Sequence, residues 1–202
     1  MKNQLKNSDY TITKQQALNI INSTKTLHER CIVKCLYYGA MRASEVVALR
    51  AEDVDFANNS ITIYEGKGEK TRKIPFIDAG FKADLRFMLG NKKRDKVFHI
   101  TRRESVNAIC ARAGKKAGIT HPHPLKVNIN PHLFRHSIAR HLKSDGISWE
   151  FIQHLLGHES FKTTMDTYGT MGFDEMQQIA YRRDPSLINR EKIIGEIGYD
   201  NS

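Results

Sequence analysis

The stretch "NNSITIYEGKGEKTRKIPF", residues 58–76, decides the fold class. Two short runs, "SITIY" and "RKIPF", flank a turn rich in Gly and Lys. β-Branched and aromatic residues on either side of such a turn predict a β-hairpin. The segments around it read as helices instead, so the period changes here and changes back afterwards. The chain is therefore expected to be mostly α with a small antiparallel β-sheet, an α+β class.

Working towards the N-terminus, "ASEVVALR" predicts a short helix after Arg42, with Arg50 as a charge complement at its C-terminal end. A longer helix is expected from about His28 to Tyr38, stopped by Gly39 as a left-handed cap. Thr13-Lys14-Gln15-Gln16 has the form of a capping box and starts a helix that runs to about Asn22. Cys31 and Cys35 fall in the apolar stretch "CIVKCLYYG" and read as small core residues, and three cysteines make no disulfide framework. Tyr37, Tyr38 and Tyr64 sit in apolar patterns and are also expected in the core.

Towards the C-terminus, helical patterns return at about 80–90 and 102–117, and "HPHPLKVNINP" breaks the chain with three prolines. Asn130 then caps a helix whose first position is Pro131. Gly146 ends it, Ser148 caps "WEFIQHLLG", and Thr163 or Thr164 starts a short helix around Tyr168. From about 173 onwards the pattern is amphipathic, with Met176, Ile179 and Ala180 on one stripe.

The chain has 202 residues, enough for one generous domain or one domain with an arm or tail. Against 22 Asp and Glu stand 32 Lys and Arg, a formal charge of +10. Such an excess suits a polyanionic partner, most often nucleic acid, or else a solvated basic surface. No apolar run is long enough to span a bilayer, and "MKNQLKNSDY" lacks a signal-peptide core. The expected location is cytoplasmic, and nucleoid-associated if the partner is DNA.

Four clusters could carry chemistry. In "NPHLFRHSIARHL", His132 and Arg135 share one face of the first helical turn, where free backbone N–H groups already favour an anion. They form either a phosphate site or a local cap. His132 and His136 also have the spacing of a helical zinc pair, without the Glu of H-E-x-x-H and without a third ligand. In "GAMRASEVVALR", Glu45 lies three residues after Arg42 and can hold its guanidinium fork for bidentate phosphate binding, or simply form a surface ion pair. Lys67 sits between two glycines in the hairpin turn, placed to reach a leaving oxygen or merely solvated. In "LLGHESFKTTMDTYGT", His158 follows a helix-ending glycine, and Tyr168 stands among polar residues with little packing reason to be there.

Taken in order, Arg-x-x-Glu, a hairpin Lys, His-x-x-Arg, Leu-Gly-His and Tyr resemble the tyrosine recombinase (phage integrase) family. "GAMRASEVVAL", "GKGEKTRKIP", "PHLFRHSIARHL" and "LLGHES…TYG" are each similar to that family's boxes, over about residues 10–172. The resemblance implies a catalytic domain like that of tyrosine recombinases and type IB topoisomerases over residues 1–172. It implies a C-terminal tail, 173–202, that packs on a neighbouring protomer or on its own chain. It also implies site-specific cleavage and rejoining of double-stranded DNA through a 3′-phosphotyrosine. In this sequence Tyr168 would be the nucleophile, and Arg42, Arg135 and His158 the phosphate ligands. Lys67 would be the general acid, His132 the proton acceptor or positioner, and Glu45 the support of Arg42. No cofactor, metal or ATP is needed, and the sequence has neither a Walker-type glycine loop nor a carboxylate cluster suited to Mg²⁺. Self-association on DNA, from dimer to tetramer, is expected of a protein monomeric when free, with no membrane partner. Few residues precede the first helix, so the chain is expected to be either a fragment of a longer recombinase or a compact member without the family's N-terminal DNA-binding arm, and DNA binding without that arm to be weak and salt-sensitive. Strand exchange at a defined site separates this reading from topoisomerase-like relaxation. A covalent adduct separates it from a non-catalytic DNA-binding accessory factor.

Overall fold

The computed structural model describes residues 10–65, 70–90, 95–157 and 171–188. Thr13 caps the first helix, α1 (Lys14–Asn22). Its hydroxyl accepts from Gln16 N at 3.1 Å, and the Gln16 side chain accepts from Thr13 N at 2.8 Å. Thr26 caps α2 (Leu27–Tyr37) in the same way. Cys31, Ile32, Val33, Cys35 and Leu36 of α2 are fully buried, which makes it the central helix of the core. Burial pushes the Cys31 thiol up to about 12, so it is a packing group and not a thiolate.

The turn after α2 departs from expectation. Gly39 is not left-handed; Ala40 is, at φ 47°. Gly39 is needed because a Cβ there would come within 2.7 Å of the Cys35 carbonyl oxygen. The short helix α3 (Ala43–Ala48) follows. Arg50 is not its terminal charge complement. It lies beyond the helix, pairs with Glu52 at 2.7 Å and forms an isolated bridge with Lys96.

After a 3₁₀ turn (Ala51–Asp53) comes the sheet, β1 (Val54–Asp55), β2 (Ser60–Glu65) and β3 (Lys70–Pro75), antiparallel in the order β1-β2-β3. The hairpin is thus present as expected, and β1, only two residues long, is an addition to it. Successive side chains alternate between faces, so Ile61 and Ile63 point inwards and Tyr64 points out. Tyr64 is 57% exposed and is not a core residue, whereas Tyr37 and Tyr38 are buried.

Four helices complete the described chain before residue 158: α4 (Ala79–Leu89), α5 (Arg103–Lys116), α6 (Pro131–Ser144) and α7 (Trp149–Leu156). Asn130 caps α6 by accepting from Leu133 N at 3.0 Å, with Pro131 in the first turn. Leu133, Phe134, Ile138 and Leu142 fix α6 in the core against α2. His141 ties three segments together. Its Nε2 faces the Ile12 carbonyl at 2.9 Å and must donate, so its Nδ1 accepts from the Tyr37 hydroxyl at 2.7 Å.

The last described helix, α8 (Phe173–Arg183), lies against β3 of its own chain, with Met176 and Ala180 fully buried. Asn59 fastens it by donating to the Tyr181 hydroxyl at 3.0 Å and to the Leu187 carbonyl at 2.8 Å. The apolar stripe of α8 is therefore used within the chain. The helix expected around Tyr168 lies outside the described residues.

Candidate active site

The cap of α6 places His132 and Arg135 at the start of a helix whose core face is anchored. Arg135 is 6% exposed and donates to the carbonyls of Ala40 and Leu156. It thereby joins the left-handed turn after α2 to the end of α7. Such a guanidinium is held in one pose before any ligand arrives. The sequence put Arg135 at an anion site; its second task as a brace between two turns depends on contacts far apart in the chain.

Arg42 stands at the N-terminal cap of α3. Its backbone N donates to Glu45 Oε2 at 2.7 Å, Nη1 donates to Glu45 Oε1 at 2.8 Å, and Nη2 donates to the Gly157 carbonyl at 3.2 Å. With its side chain 42% exposed, Arg42 remains open to solvent beside these contacts. The Arg42–Glu45 pair is thus part of a larger arrangement than an i, i+3 surface pair.

Glu45 is 6% exposed and has a second arginine partner. Arg72 of β3 grips it with both arms, Nη1 to Oε1 at 2.9 Å and Nη2 to Oε2 at 2.8 Å. Burial alone would raise the Glu45 pKa. The hydrogen bond and charge of Arg72, followed by the backbone N–H and charge of Arg42, outweigh it and hold the carboxyl below its ordinary value. Arg72 was missed as a site residue, although a signal existed. It stands two positions before Ile74 and opposite Ile63, on the inward face of the strand, where an arginine requires a buried carboxylate.

His132 packs edge-on against His136, with ring centroids 4.0 Å apart and the two Nε2 atoms 2.6 Å apart. The pair is joined by a hydrogen bond, one ring donating and the other accepting. Burial first, then the charges of His136, Arg135 and Lys126, lower the His132 pKa. A ring kept neutral near pH 7 is able to take up a proton. Among the described residues no group of three or more His, Cys, Asp or Glu side chains converges as a metal site would require.

Arg42, His132 and Arg135 come together on one surface. They line a pocket of about 470 Å³ whose rim includes Arg103 and Lys126. The same three line a neighbouring groove of about 1100 Å³ that runs past Arg140, Lys143 and Trp149. Sequence reading did not single out Lys126, Arg140, Lys143 or Trp149; their joint position follows from the packing of α6 and α7. Lys67, His158 and Tyr168 lie outside the described residues. Gly157, whose carbonyl accepts from Arg42, immediately precedes His158 in the chain. The arrangement can bind a phosphate diester on two guanidiniums and an imidazole, next to a groove with further positive charge.

The phage integrase family model matches residues 10–173. The tyrosine recombinase XerA of Pyrococcus horikoshii is 28% identical over 163 residues, covering 76% of this chain and 54% of that protein. The chain spans about half the length of the curated relatives it matches. The crystal structure of XerA recombinase superposes with a TM-score of 0.65 at 24% identity, over 87% of this chain and 65% of that one. A lambda integrase (75–356) dimer bound to a COC′ core site gives a TM-score of 0.59 at 22% identity, over 76% and 59% of the two chains. At these identities the two structures speak for the fold alone.

Proposed function

The chain belongs to the phage integrase family, and on that premise we propose that it cleaves and rejoins double-stranded DNA at a defined site through a 3′-phosphotyrosine. The observation that carries this reading is the convergence of Arg42, His132 and Arg135 on one pocket, with Glu45 behind Arg42.

In this reaction the Tyr168 hydroxyl attacks the scissile phosphorus, a P–Oη bond forms and the bond to the 5′ oxygen breaks. Negative charge grows on the non-bridging oxygens as this happens. Arg42 and Arg135 are preorganised donors for it, and His158 adds a further one. Lys67, which lies between β2 and β3 in the sequence, gives its proton to the departing 5′ oxygen. His132, held neutral by its surroundings, receives the proton of Tyr168 or positions the phosphate. The phosphotyrosine ester conserves the energy of the broken bond, so a 5′-hydroxyl attacks it and reseals the strand in the reverse sequence of steps. The chain's own residues account for each proton and bond, without metal or nucleotide.

The partner is double-stranded DNA, and the dimeric lambda integrase complex supports self-association on it. Among the described residues no helix is long and apolar enough to cross a membrane. A cytoplasmic, nucleoid-associated location fits a DNA-acting enzyme.

The test is incubation with the DNA that flanks the gene, followed by mapping of any protein–DNA adduct. A 3′ linkage to Tyr168, lost in Tyr168→Phe while DNA affinity persists, is expected. A 5′ linkage, or an adduct that survives in Tyr168→Phe, overturns the assignment.

A further inference from the structure

Arg72 lies in the middle of β3, opposite Ile63, with its side chain 7% exposed. It lines neither the phosphate pocket nor the adjoining groove. Its position nevertheless governs the surroundings of that pocket. Each Glu45 oxygen takes one donor from Arg72 and one from Arg42. Oε1 receives Arg72 Nη1 and Arg42 Nη1, and Oε2 receives Arg72 Nη2 and the Arg42 backbone N. A carboxylate held only by a half-exposed arginine three residues away could swing with it. Gripped from behind by a buried guanidinium, it becomes a fixed acceptor that sets the direction of Arg42.

The other face of Arg72 meets Gly157. A Cβ at Gly157 would lie 2.9 Å from Arg72 Cδ and 2.9 Å from its Nη1, so the guanidinium occupies the space a side chain would need. The Gly157 carbonyl is also an acceptor for Arg42. One arginine therefore braces three pieces. These are strand β3, the helix start that carries Arg42, and the turn at Gly157.

We propose that Arg72 is a positioning residue for strand cleavage, which orients Arg42 through Glu45 and braces the Gly157 turn without touching DNA. This rests on the recombinase reading of the site. It differs from a purely structural ion pair in one respect: the energy of the Arg72–Glu45 contact is expressed in the rate of the chemical step.

Single-turnover adduct formation at saturating DNA, with the duplex that flanks the gene, separates the two. The variants are Arg72→Met, Arg72→Lys, Glu45→Gln and the Arg72→Met/Glu45→Gln double variant, each with its thermal midpoint measured. Arg72→Met is expected to slow the adduct step about a hundredfold, the scale of a small misplacement of a reacting group. Its DNA Kd should stay within about threefold of the parent, because one phosphate contact is a small share of the many that hold a duplex. Arg72→Lys, which keeps the charge without the fork, should fall between. The double variant should be slower than Glu45→Gln by far less than Arg72→Met is slower than the parent, because the larger part of the effect runs through one carboxylate. Parent-like rates in Arg72→Met, additive losses in the double variant, or a loss that vanishes at a temperature where the variant is fully folded would overturn the proposal.

Inorganic phosphate gives a readout independent of cleavage. Its affinity, followed by ³¹P NMR with Arg42→Met as the site control, should weaken in Arg72→Met. If the parent chain forms no adduct but phosphate affinity still falls in Arg72→Met, the recombinase reading fails and the positioning role stands. If the adduct forms and neither rate nor phosphate affinity responds, the positioning role fails alone. No adduct and no phosphate response would sink both.

Discussion

Arg42 and Arg135 have the same chemistry but differ in what surrounds them. Arg135 is buried and committed to two carbonyls, whereas Arg42 is half-exposed and steered by Glu45. The turn between them and β3 depends on Gly157, at φ +63° and with Arg72 where a Cβ would go. Gly118 is also left-handed, at φ +68°, but has open space around it. Gly118→Ala should therefore cost about 1 kcal/mol of stability, the backbone term alone. Gly157→Ala should cost about 2–4 kcal/mol, because Arg72 is pinned by Glu45 and cannot give way. Denaturant unfolding of the two variants checks this, and equal losses would mean that Arg72 yields easily. At this scale the sequence was informative where one helix or turn brings two groups together, as for Arg42 with Glu45 or His132 with Arg135. It failed for Arg72, whose partner is 27 residues away. It also placed the left-handed step on Gly39 instead of Ala40, since the steric demand on Gly39 comes from a carbonyl one turn back.

Helices were more legible than single contacts, because caps are local chemistry. Thr13, Asn130 and Ser148 each accept from the backbone N–H three residues on. The two-residue β1 was not legible, since its pairing with β2 arises only from the folded sheet. What holds the elements to one another includes several partly buried histidines. Burial is the first cause that lowers the pKa of His121, His132, His141 and His154 below the ordinary value of 6.5. Their folded pKa values lie below the unfolded ones, so between the two the unfolded chain binds more protons. The stability they contribute is complete above about pH 6.5 and is lost as pH falls through the folded values. Protonation of His141 also removes the acceptor for the Tyr37 hydroxyl, loosening the joint between the Ile12 segment, α2 and α6. The thermal midpoint is thus expected to fall as pH is lowered from about 7 to about 5, before carboxylates titrate. Calorimetry across that range checks the sign; a midpoint that rises on acidification would contradict it.

Across the whole molecule, part of the basic excess read from the sequence gathers on one surface. Lys126 and Arg103 rim the pocket, and Arg140 and Lys143 line the groove beside it. If this surface tracks a DNA backbone, affinity should fall linearly on a log–log plot against salt. Lys143→Ala should then reduce the slope by about 1, affecting all DNA sequences alike. An unchanged slope in a binding titration would remove Lys143 from the interface. The fold class and the order of the elements could be read from periodicity, but the groove could not, because it exists only where α6 meets α7. The end of α7 carries a further consequence. The carbonyls of its last residue, Leu156, and of its cap, Gly157, accept from Arg135 and Arg42, the two arginines that line the pocket. A helix whose negative pole is closed by two pocket-lining cations would share them with any anion bound there. If this surface binds a phosphate, seating the anion and closing the end of α7 become one event, because both draw on the same two guanidiniums.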